Sequence, residues 1–129
     1  MNRGMKLLLV VSAIIEIGTG TALLAIPARL APILIGAELD TPAALAMARL
    51  AGAALFSLGM VCWFGSRDTG SRAAVGIVAA MLFYNLATIV LLVSLRYYVG
   101  MTGIGLLPAA GLHAALAVWC ISVINNKQR

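Results

Sequence analysis

Four apolar runs, each about 20 residues long, take up most of this chain, at 7–26, 43–64, 73–95 and 105–124. At about 1.5 Å of rise per residue, a helix of that length crosses the roughly 30 Å hydrocarbon core of a bilayer. Each run carries one ionisable or strongly polar side chain: Glu16, Arg49, Asn85 and His113. A central Asp, Lys or Arg costs a spanning helix about 2.5–3.5 kcal/mol even on gentle insertion scales. Such groups persist by facing the bundle interior and finding partners. The expected fold is all-α: an integral membrane four-helix bundle, one domain over residues 1–129.

Only 10% of the 129 residues are charged and 63% are hydrophobic, with a mean hydropathy of +1.06. A water-soluble domain carries about 25% charged residues, so the deficit makes lipid the solvent for much of the surface. The net charge of +5 does not point to nucleic acid. The basic residues sit at the ends of apolar runs instead of in a cluster, as membrane topology signals do.

Punctuation between the runs sets the helix ends. Arg3 and Lys6 precede the first run and Pro27 closes it. The charged start and the Ala22–Ala25 stretch also resemble a secretory signal. Glu16 interrupts the apolar core such a signal needs, so cleavage is not expected. Residues 28–40 are too short and too punctuated to span. Leu30, Ile33 and Leu34 keep helical spacing and Gly36 offers a stop, which predicts a short amphipathic helix in the interface between the first and second spans. Thr41-Pro42 supplies an N-cap and an N1 proline for the second span. Asp68 and Ser71 are cap candidates for the third, and Pro108 belongs in the first turn of the fourth.

Lys and Arg counts in the short loops favour both termini in the cytoplasm. Arg3, Lys6, Arg67, Arg72, Lys127 and Arg129 then lie inside, against Arg29, Arg96 and the nearby Arg49 outside. Trp63 and Trp119 fall near the inner boundary, with Tyr97 and Tyr98 at the outer one, where interfacial aromatics belong.

Small residues recur every four positions: Ala44, Ala48 and Gly52; Gly76 and Ala80; Gly105, Ala109, His113 and Ala117. Such rows let helix backbones approach closely in lipid. They serve either packing within the chain or a homodimer face.

Ser12, Glu16, Thr19 and Gly20 form one stripe of the first helix, and Thr88 shares a face with Asn85, next to Tyr84. Glu16 and Arg49 are expected to pair, with Asn85 and His113 bonding to them or to backbone. The same set can line a polar cavity, so Glu16, Arg49, Asn85 and His113 are the candidates for a ligand or proton site, supported by Ser12, Thr19, Tyr84 and Thr88. A carboxylate held by Arg49 is a poor proton exchanger, which weighs against transport. One histidine cannot build a two-histidine haem site, and zinc wants three or four well-spaced nitrogen or sulfur ligands. No metal site is expected. No nucleophile–base pair, phosphate loop or paired carboxylates occur, so no catalytic residue is assigned. Cys62 and Cys120 share a depth near the inner helix ends and read as free, apolar core residues.

The stretch Gly18-Thr-Gly-Thr-Ala-Leu-Leu-Ala-Ile-Pro27, then Leu34-Ile-Gly36, then Ala48-Arg-Leu-Ala-Gly-Ala-Ala-Leu-Phe-Ser-Leu-Gly59, resembles small bacterial four-helix membrane proteins of the broad DoxX-like type. Tyr84-Asn85 and Leu112-His-Ala114 fit the same pattern. The resemblance implies a bacterial inner-membrane protein. It also suggests a membrane subunit associated with quinone or thiosulfate redox complexes. More narrowly, Ala13-Ile-Ile-Glu-Ile-Gly-Thr19 resembles the first helix of small multidrug resistance transporters. There, Glu16 would exchange a proton for a cationic substrate.

The reading these features support is a non-enzymatic accessory subunit, or a binder of a small lipophilic ligand in a polar-centred bundle. A proton-coupled exporter of lipophilic cations and a quinone-handling redox subunit are its rivals. No resident cofactor is expected, with quinone or lipid the ligands such a bundle admits. The expected partners are the lipid bilayer and either a second copy or a larger membrane complex.

Overall fold

The computed structural model describes residues 3–127, with side chains through 126. Arg129, counted above among the inner cations, lies outside them, as does the side chain of Lys127. The described chain forms α1 (Arg3–Ala25), α2 (Pro27–Leu34), α3 (Pro42–Gly65), α4 (Arg72–Tyr97) and α5 (Leu106–Lys127). All but α2 are long and apolar enough to cross a membrane, which gives the chain the architecture of a small multi-pass membrane protein. α3 and α4 extend a residue or two beyond their apolar runs, and Arg3 and Lys6 are exposed on α1.

Thr41 and Ser71 cap α3 and α4, while Asp68, the other candidate for α4, lies in the loop before it. Thr41 accepts a hydrogen bond from the Ala44 N–H at 3.1 Å, with Pro42 opening α3. Ser71 does the same for Ala74 at the start of α4. Both satisfy an orphan donor of the first turn. The left-handed φ of +73° at Gly36 ends α2.

The long helices are apolar on all sides, so burial alone distinguishes their faces. Buried residues step by threes and fours: Met5, Leu9, Ser12 and Glu16 on α1; Val78, Met81 and Asn85 on α4; Leu106, Ala110, His113, Ala117 and Cys120 on α5. This spacing is the seam by which a helix faces its neighbours in a bundle. Outside it, Ile14, Phe83, Val90 and Val118 are exposed by 63–75%. Such an exterior suits hydrocarbon and would be a large apolar patch in water.

α1 packs chiefly on α3, and α4 on α5. The first pair meets backbone to backbone. A Cβ at Gly20 would stand 2.6 Å from the Phe56 nitrogen, and one at Gly52 would stand 2.8 Å from the Gly20 carbonyl oxygen. Gly52 therefore serves packing within the chain, as do the buried Ala117 and half-buried Ala109. Gly76 and Ala80 are exposed, and nothing lies within 4 Å of a Cβ at Gly76. One end of the bundle is closed by α2. The Gly105 N–H donates to the Ile33 carbonyl at 3.0 Å, and a Cβ at Gly103 would collide with the Leu34 carbonyl.

Candidate ligand site

Asn85 sits at a seam position of α4, fully buried, and its amide bridges two helices. Its Nδ2 donates to the Met81 carbonyl at 2.7 Å, one turn back. Its Oδ1 lies 2.7 Å from His113 Nδ1 on α5. An amide whose NH₂ is engaged with a carbonyl presents its oxygen as the acceptor, so the proton of this contact sits on Nδ1. In a neutral imidazole Nε2 is then an acceptor. The Tyr84 ring stands edge-on to His113, with centroids 5.5 Å apart at 82°, a geometry aromatic quadrupoles favour.

Tyr84 extends the chain of contacts to α1. Its hydroxyl donates to Glu16 Oε2 at 3.3 Å, a long bond for O–H···O. Glu16 is 1% exposed and Ser12, one turn earlier, is fully buried. Among the described residues, neither Glu16 Oε1 nor the Ser12 hydroxyl has a hydrogen-bond partner. Buried polar atoms are nearly always satisfied, so these two orphans mark the least settled part of the core.

A cavity of about 170 Å³ adjoins this network. Its walls are mostly apolar, with Leu23, Leu34, Leu55, Leu92 and Leu112 among them, and all five helices contribute. The polar exceptions are Thr19, Tyr84, Thr88 and His113. Asn85 and Glu16 are not on the wall. Asn85 takes the Nδ1 edge of His113, which leaves Nε2 outside that contact.

The structure thus gathers Glu16, Tyr84, Asn85 and His113 into one network and sets Thr19 and Thr88 on the cavity wall. It does not bring in Arg49. The expected Glu16–Arg49 pair is absent: Arg49 is exposed on α3, and Glu16 turns to Tyr84. The cause is rotational. The inward positions of α3 run 45, 48, 52, 55, 59 and 62, and Arg49 falls one residue past that seam. The wall leucines, including Leu34 from α2, carried no signal in a sequence where leucine is everywhere.

Cys62 and Cys120 are both free and buried in the same core cluster. Among the described residues, no group of three or more His, Cys, Asp or Glu side chains is placed to hold a metal ion. Comparison of the chain with protein-family models, characterised proteins and solved structures gives no match.

Proposed function

We propose that this protein binds a small lipophilic ligand, of single-ring size and bearing a hydroxyl, in the cavity beside His113. The supporting observation is the cavity itself: about 170 Å³, walled by all five helices, and apolar apart from Thr19, Tyr84, Thr88 and His113. An engineered apolar cavity of about 150 Å³ holds benzene, so the space suits one ring. The Nε2 acceptor favours a guest that donates, such as a phenol or the hydroquinone form of a quinone head group. Thr19 and Thr88 can donate to a guest carbonyl. On this reading Asn85 fixes the imidazole and Tyr84 props it. The protein is a non-enzymatic binder or accessory subunit in a bacterial inner membrane, with both termini cytoplasmic, in line with its DoxX-like resemblance.

The exporter reading has less behind it. A cation in the cavity would not touch Glu16, which is not on the wall. Native mass spectrometry of gently solubilised protein tests the proposal. A small adduct should accompany the wild type and be lost in Ala109→Leu, which fills part of the cavity. An adduct equally abundant in both proteins would count against the site.

A further inference from the structure

Among the described residues, Arg49 is the one charged side chain that stands exposed well within a spanning helix. It lies seven residues after Pro42, about 10 Å along the axis. No ion pair or hydrogen bond with another of the described residues engages it. A guanidinium facing hydrocarbon needs a counter-charge or a route to one. The chain cannot supply it at that depth. Of its four acidic residues, Glu38 and Asp40 lie in the loop before α3, Asp68 lies in the loop at its far end, and Glu16 is buried against Tyr84.

Three geometric facts narrow the source. The Cα–Cβ bonds of a helix tilt toward its N-terminus, so Arg49 leans toward the end of the bundle closed by α2, where the nearer headgroups lie. A second copy related by an axis along the membrane normal brings equal depths together, setting Arg49 against Arg49. The exposed neighbours one turn away, Ala46 and Ala53, are small, so an acyl chain can lie against the helix beside the guanidinium.

We propose that Arg49 is a binding site for the phosphate of an anionic phospholipid in the leaflet on the α2 side. The guanidinium engages two phosphate oxygens in its planar fork, while an acyl chain lies over Ala46 and Ala53. Zwitterionic lipids bind less well, because their own cation competes for the phosphate. The proposal is independent of what the internal cavity holds.

Native mass spectrometry of the full chain, released from mixed phosphatidylglycerol–phosphatidylcholine nanodiscs, tests this. The wild type should retain phosphatidylglycerol at least threefold over phosphatidylcholine. Arg49→Gln should abolish that preference, Arg49→Lys should keep part of it, and Arg29→Gln should leave it intact. Equal retention of the two lipids by the wild type overturns the proposal whether or not the variants fold. So does an Arg49→Gln protein that keeps the preference, or one that loses only an oligomer while its phosphatidylglycerol is unchanged.

Discussion

At the scale of single residues, the strength of the network is uneven. Both contacts of Asn85 are 2.7 Å long, whereas Tyr84 reaches Glu16 at 3.3 Å. Interhelical hydrogen bonds in lipid average about 0.6 kcal/mol and reach about 1.7, because the unfolded chain also finds partners there. Asn85→Leu, which keeps the side chain's branching and heavy-atom count, should therefore destabilise the protein by about 1 kcal/mol and Tyr84→Phe by less. His113→Phe keeps an aromatic ring beside Tyr84, so the Asn85→Leu/His113→Phe double variant should lose less than the sum of the singles. Steric-trapping or denaturant unfolding in detergent measures all four, and strict additivity would remove the Asn85–His113 contact from the account. The sequence made three of these residues visible as rare polar groups in apolar runs. It misassigned Arg49 because sign and depth suggested a partner for Glu16. The rotation of α3 that points Arg49 outward depends on the seam, and an almost uniformly apolar helix hides its seam.

At the scale of helices, small residues have two distinct roles that spacing alone does not separate. Gly20, Gly52 and Gly76 all belong to apolar helices and, in sequence, all suit close packing. Only the first two meet backbone. A methyl at Gly20 would have to push Phe56 and Gly52 away, an overpacking cost of about 1–3 kcal/mol. At Gly76 it would meet nothing, and alanine's helix propensity favours it by up to about 1 kcal/mol. Gly20→Ala should lower the thermal midpoint, and Gly76→Ala should hold or raise it. A loss of equal size at Gly76 would show that its face is covered in the membrane, as in a homodimer. Helix ends were far more legible: Thr41, Ser71 and Gly36 act through local hydrogen bonds and backbone dihedrals, which need no knowledge of the partner helix.

For the whole molecule, most of the helix exterior is apolar and Glu16, Tyr84, Asn85 and His113 converge on the centre, with Arg49 the charged exception on the outside. Composition and run length were enough to read four spanning helices, since both follow from the solvent. The sequence predicts a cavity lined by the polar set; the mostly apolar wall of this cavity was not readable, because it exists only where leucines from different helices fail to fill the space between seams. Its occupancy is the central claim, and thermal unfolding in detergent, titrated with phenol and with toluene, tests it most directly. A bound ligand at about 100 times its dissociation constant adds about 2.7 kcal/mol. Phenol should raise the midpoint saturably in the wild type, toluene should do so more weakly, and neither should act on Ala109→Leu. A phenol response that never saturates, or that Ala109→Leu shares in full, would contradict the account.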